Sequence, residues 1–377
     1  MSRLEAPVLG NPSKHLYTSF PYIGCMKTGV ALLNFGEPSR PDRDVVIEYL
    51  TRIFYNNASL EHADTEAEAW ERSRELARRR APSLIEEYEE IGGSPLNEQA
   101  DAQLEALSAE LEERGHEVEL FHGMQFMEPL IPDVAEQLAE AGIEEVVGLP
   151  IYPLCGHSTN VAALNDLEEA IDEIDGYDPA FAGITGWHRA PTYNRIRAET
   201  IAGFLEENDL DPNAPDTAFV FSAHGTPIHY LEAGNRYDTY VDEHAATIAR
   251  MAGVEEYELG FQNHSNRDIP WTEPEIEDVI EGLEGEAERV VVEPMSFIHE
   301  QSETLVELDI DLREDAEGVG LDLHRVPVPH DDPRLAEQFA DLLEPFLSGF
   351  EPSYYQYRQC ECRDAPGTYC LNAPRPE

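Results

Sequence analysis

Lysine is almost missing from this chain: there are two, Lys14 and Lys27, in 377 residues. All basic side chains together number 25 against 77 acidic ones, a formal charge of −52. A surface that negative repels a phosphate backbone and excludes nucleic acid as a partner. Long apolar runs are also missing, which excludes a membrane-spanning helix and leaves a soluble or peripherally attached protein. The first 25 residues lack the apolar core of a signal peptide and read as an irregular extension, with Met26 a candidate start. Cysteine is scarce: Cys25, Cys155, Cys360, Cys362 and Cys370. Five are too few for a disulfide scaffold and predict a cytoplasmic protein.

What is present is an ordinary core. The hydrophobic fraction of 41% suits a globular protein, so the acid is not a disordered tail. Because the carboxylates are spread along the whole length, the composition predicts adaptation to molar salt, where screening removes self-repulsion.

Apolar patterning predicts alternating strands and helices. The first strand is TGVALLNF (28–35), with a sharp exit at Gly36 and Pro38. Helices follow at 42–54, 64–80, 83–91 and 97–114, the second ending in Arg78-Arg79-Arg80 before Pro82. Further strands are expected at 117–121, 145–149, 181–185, 217–223, 256–262, 289–293 and 322–328, with helices between them and a last helix at 332–347. Such alternation implies an α/β protein of two doubly wound, Rossmann-like domains with parallel sheets. The expected division is an extension (1–26), a first domain (27–182 plus 323–349), a second domain (183–322) and an irregular cysteine-bearing tail (350–377).

Two stretches carry chemistry. His224 follows a buried strand directly and precedes a Gly-Thr-Pro turn, at the carboxyl end of a strand where open α/β sheets place their sites. A hydrogen-bonded structural histidine is the plainer reading of the same position. After the strand near 290, Glu300, Glu303, Glu307, Asp311 and Glu314 step by three or four residues and predict one acidic ridge along a helix. The ridge is either a solvated face or a row of carboxylates that passes hard cations or protons inward.

Six strings, in order, then resemble the ferrochelatase family: LLNFGEP (32–38), IGGSPL (91–96), IYPLCGHST (151–159), FSAHGTP (221–227), Gln262 with Pro270-Trp271, and HEQSETLVELD (299–309). The resemblance covers residues 28–347. It implies two chelatase-type domains facing a porphyrin cleft, and insertion of ferrous iron, the metal substrate, into protoporphyrin or coproporphyrin. It makes His224 and Glu303 the catalytic, metal- and proton-handling pair, with Glu307 and Asp311 continuing a line of metal-binding carboxylates. Arg79 and Arg80 match an arginine pair that binds a propionate; the plainer reading is a helix C-terminus complemented by positive charge. Phe35, Tyr152 and Trp271 are candidates for the porphyrin-binding wall; ordinary core packing is the plainer reading of each. The departures are Glu300 and Gln301 where many members have Asp-His, Glu37 where a small residue is common, and Met124-Gln125-Phe126 in place of Met-Arg-Tyr. A chelatase for another metal or for a tetrapyrrole such as sirohydrochlorin is the related alternative. A non-catalytic tetrapyrrole or iron carrier is the alternative of a different class.

Cys360-x-Cys362-x₇-Cys370 lies beyond the last predicted helix, where spacings this short read as metal ligation. Some ferrochelatases hold a two-iron two-sulfur cluster by one internal cysteine near the matching Tyr-Pro loop and three near the C-terminus. That resemblance implies Cys155, Cys360, Cys362 and Cys370 as its ligands, far from the acidic ridge, in a structural or redox-sensing role. Zinc on four thiolates, or tail thiols without a metal, are the alternatives.

Overall fold

The computed structural model describes residues 26–56, 65–263 and 269–371. The N-terminal extension and Cys25 lie outside the described residues. In chain order the elements are β1 (Thr28–Asn34), α1 (Arg43–Asn56), α2 (Glu66–Ile91), α3 (Leu96–Glu113), β2 (Glu119–Met124), α4 (Ile131–Glu140), β3 (Glu145–Pro150), α5 (Ala162–Asp172) and β4 (Ala180–Ile184). Then come α6 (Pro191–Glu207), β5 (Thr217–His224), α7 (Ile228–Glu232), α8 (Tyr237–Ala252), β6 (Glu258–Gln262), α9 (Ile276–Gly282), β7 (Arg289–Pro294), α10 (Ser302–Leu305), α11 (Leu312–Gly318), β8 (Asp322–Arg325), α12 (Arg334–Leu347), β9 (Arg358–Gln359) and β10 (Thr368–Cys370).

Two sheets form, in the orders β2-β1-β3-β4-β10-β9 and β6-β5-β7-β8. All pairings are parallel except β9 with β10. The first four strands of one sheet and the four of the other are wound in the same order, so the architecture repeats where the sequence does not. In each, the chain reverses its direction of travel between the first and third strands, which opens a crevice at their carboxyl ends. β1 is buried at every position and β7 at all but its first, as expected of strands covered on both faces. The helix α12 packs its apolar stripe, Leu335, Phe339, Leu342 and Leu343, against α3 and the first sheet, sharing a core with Val30, Leu32 and Leu149.

Four expectations are corrected. Pro82 does not stop a helix: α2 runs unbroken from Glu66 to Ile91. Its stripe of Ala69, Ser73, Ala77, Ala81, Leu84 and Tyr88 is buried, mostly against α1, and this packing outweighs the one hydrogen bond that a proline removes. The strand at 322–325 pairs with β7 in the second sheet, so the return to the first domain begins after Arg325, not at 323. The tail is not irregular either. β10 adds to the edge of the first sheet beside β4, and Arg363 binds Thr368 Oγ1, Asn165 Oδ1 and Glu168. Finally, the acidic ridge is not one α-helix. Between α10 and α11 lies a π-helical turn, Glu307–Asp311, in which the Asp311 N–H reaches back five residues to Val306 C=O at 2.9 Å. Such turns cluster at functional sites.

Candidate active site

The carboxyl ends of β1, β3, β5 and β7 converge on one partly open cleft of about 290 Å³. β1 delivers Phe35 and Glu37, the loop after β3 delivers Tyr152, β5 ends in His224, and the segment after β7 brings Gln301, Glu303 and Glu307. The α1–α2 hairpin forms one lip with Tyr49, Leu50 and Leu84, and Trp271 lines another part of the wall. Phe35 meets Phe126 edge to face at 4.7 Å, so it is braced as part of the wall.

His224 stands at the centre. Its Nδ1–H donates to Gly225 C=O at 2.6 Å, which turns Nε2 toward Glu303 Oε1 at 3.1 Å. The imidazole is 30% exposed, into the cleft. Its backbone is fixed on both sides: the N–H donates to Ser296 Oγ at 2.9 Å, and its C=O accepts from Tyr237 Oη at 2.9 Å. A Cβ at Gly225 would lie 1.8 Å from Asn263 Oδ1 and 3.0 Å from Gln262 C=O, so a larger residue there would displace the Asn263 side chain. Burial alone would lower the affinity of His224 for its proton, but Glu303 and, behind it, Glu307 outweigh burial and raise it.

Glu307 is held by Gln262, whose Nε2 donates to Glu307 Oε2 at 3.0 Å and to Glu303 C=O at 2.8 Å. Ser222 Oγ donates to Gln262 Oε1 at 2.8 Å and so fixes which way the amide faces. Burial, helped by the charge of Glu303, pushes the Glu307 carboxyl well above the usual range. Gln301, in the position where the family resemblance leads one to expect histidine, donates its Nε2 to Glu303 Oε2.

The rest of the expected ridge separates. Glu300 is buried and bonded to Arg325, Thr304 Oγ1 and the Val328 N–H, away from the cleft. The π-turn carries Asp311 outside the lining to an exposed position, where it feels the charges of Glu87 and Glu314. Arg80 lines the cleft and pairs with Glu87 at 2.8 Å; Arg79 does not line it, and its side chain is 76% exposed. Tyr152 donates to Gln125 Oε1 at 3.1 Å and faces the cleft. Glu37, Gln262 and Gln301 line or brace the site although the sequence marked them only as a match to the family or as departures from it, and Ser302 drew no separate attention. Their signal was available only in part, since each sits within a string that matched the family.

Behind the same wall lies a second constellation. The sulfurs of Cys155, Cys360 and Cys362 lie within 4.8 Å of one another. Cys370, fully buried, also contacts Cys360 and donates to Gly186 C=O at 3.5 Å. Cys155, Cys360 and Cys370 belong to a core with Phe219, Phe221 and Tyr240, so the tail delivers thiols into the interior. Leu154 and Gly156, on either side of Cys155, both line the cleft. Thiol neighbours lower the proton affinity of Cys360 and raise that of Cys155, the pattern of thiols close enough to share protons.

The sequence profile of the ferrochelatase family matches residues 27–346. The ferrochelatase of Nostoc punctiforme is 32% identical over 327 residues, 84% of this chain and 81% of that protein. That of Geobacter sp. strain M21 is 28% identical over 321 residues, covering 84% and 98%. Among solved structures, SirB from Bacillus subtilis with Fe3+ superposes with a TM-score of 0.52 at 12% identity, covering 88% of this chain and 98% of its own, a likeness of fold. With one family profile spanning β1 to β8 and every strand end that builds the cleft, the chain belongs to the ferrochelatase family.

Proposed function

We propose that His224 and Glu303 are the metal- and proton-handling centre of ferrous-iron insertion into a porphyrin held in this cleft. Family membership makes the chain a metal chelatase: Fe2+ enters the macrocycle, and two pyrrole protons leave it. The observation that carries the residue assignment is the 3.1 Å approach of His224 Nε2 to Glu303 Oε1 inside an apolar-walled cleft. With Nδ1–H committed to Gly225 C=O, Nε2 is the nitrogen that can exchange a proton for a metal ion. Glu303 is the adjacent hard oxygen donor, and a neutral imidazole beside it suits ferrous iron. Glu307, whose carboxyl burial makes unusually basic, is placed to hold a proton taken from the ring. Asp311 and Glu87 form the outer acidic station through which the cation approaches. Phe35, Tyr152 and Trp271 supply the macrocycle's apolar contacts. Arg80 is the cation for a propionate, while Arg79 lies too far out on the lip for that role.

The four cysteines fit a two-iron two-sulfur cluster: they offer only soft sulfur donors, three mutually within 4.8 Å and the fourth touching Cys360, with all but Cys362 buried. When bound, such a cluster supplies one-electron chemistry and ties the tail to the loop after β3.

The test of the function is anaerobic assay in molar KCl with ferrous iron and either protoporphyrin or coproporphyrin, following metalloporphyrin formation by absorbance. Chelation of at least one is expected; chelation of neither overturns the reading.

A further inference from the structure

We propose that Glu37 is a positioning residue for Glu303, a clasp thrown across the cleft from the first sheet to the segment that carries the acid. The inference rests on the reading of His224 and Glu303 given above. Ser302, the residue before Glu303, donates its N–H to Glu37 Oε2 at 3.1 Å and its hydroxyl to Glu37 Oε1 at 2.5 Å. The two partners are 265 positions apart in the chain, one after β1 and the other after β7.

Glu37 is itself anchored. Asn97 Oδ1 accepts its N–H at 3.0 Å, and Asn97 Nδ2 donates to its C=O at 2.8 Å. Gly36, just before it, has φ +79°, and a Cβ there would lie 2.8 Å from Met124 Cβ, so the turn that aims Glu37 is fixed. The side chain is only 2% exposed. A buried carboxyl is costly unless it is bonded, and this one is bonded chiefly to Ser302, with the Ser94 side chain a second partner and Tyr49 Oη farther off at 3.5 Å. Gln301 and Gln262 restrain Glu303 from its own side of the cleft; Glu37 adds a restraint from the opposite side. Together these bonds leave Glu303 little freedom to turn away from His224.

The test compares Glu37→Ala, Glu37→Gln and Ser302→Ala for kcat, iron KM, porphyrin Kd by fluorescence quenching and melting temperature. Glu37→Ala is expected to lower kcat by ~10- to 100-fold, the scale of a small misplacement, with porphyrin Kd and melting temperature near those of the parent. Glu37→Gln, which keeps one acceptor oxygen, recovers part of the loss. The double variant Glu37→Ala/Ser302→Ala is no worse than Glu37→Ala, because both changes cut the same bond. A parental kcat in Glu37→Ala, or losses that add in the double variant, overturns the proposal. If Glu37→Ala does not fold, Ser302→Ala decides: a lowered kcat supports the clasp and a parental one overturns it. His224→Ala run alongside separates the two readings, since activity in that variant would remove the centre itself, whatever Glu37 does.

Discussion

The cleft centre and the thiol cluster share one loop and differ in almost everything else. Tyr152, Leu154 and Gly156 face the cleft, while Cys155 turns into the core behind them. On the cleft side the donors are an imidazole and carboxylates, with His224 30% exposed and the acids competing for protons. On the core side the donors are thiols alone, packed among aromatic rings. Hard oxygen donors open to water bind a divalent cation loosely enough to release it; soft sulfur donors in a dry pocket hold a metal for the life of the protein. On the roles proposed above, the difference is that between a metal in transit and a metal in residence.

Removing the transit donors should have the largest effect. His224→Ala and Glu303→Gln are each expected to abolish turnover while porphyrin binding, followed by fluorescence, stays near the parent. Near-native turnover in either would end the assignment. On the resident side, anaerobically purified protein should be brown and contain iron and sulfide, and Cys362→Ser should lose both. Colourless parent protein, with stoichiometric zinc or no metal, would refute the cluster. A milder perturbation sharpens the idea of passage: Glu307→Gln with Asp311→Asn should raise the apparent iron KM more than it lowers kcat. An unchanged KM would return Asp311 to the role of a solvated surface acid.

The smallest effect is on stability. Folding raises the proton affinity of His224, so the stability from its pairing is complete below its unfolded pKa of about 6.5 and is lost as pH rises through the folded value. Glu307 is also raised, and its buried carboxyl becomes costly as it ionises above the unfolded value of about 4.3. Both signs predict a melting temperature that falls from neutral to alkaline pH, and less steeply in His224→Ala. Equal slopes in parent and variant would contradict the coupling.

Much of the site was legible because strand ends are legible. A β-branched or apolar run followed by glycine or proline marks where a parallel strand stops, and the crevice lies there. That places His224 and Glu303 without coordinates. Pro82 was misread because its local penalty was weighed without the α1 surface that covers the same helix. The tail was misread because β9 and β10, at two and three residues, are too short to show a period.

The sequence by itself determined the alternation of strands and helices, the charge of −52, and the strand ends at His224 and near residue 290. These follow from local patterns and composition, which need no partner to be read. Tertiary structure alone decided that the ridge breaks at a π-turn, leaving Glu307 in the cleft and Asp311 outside it. It alone brought Glu37 to Ser302, and Cys155 to the tail. Each of these depends on groups tens to hundreds of residues apart meeting in space, and one residue of register, or one extra residue in a helical turn, changes which way a side chain faces.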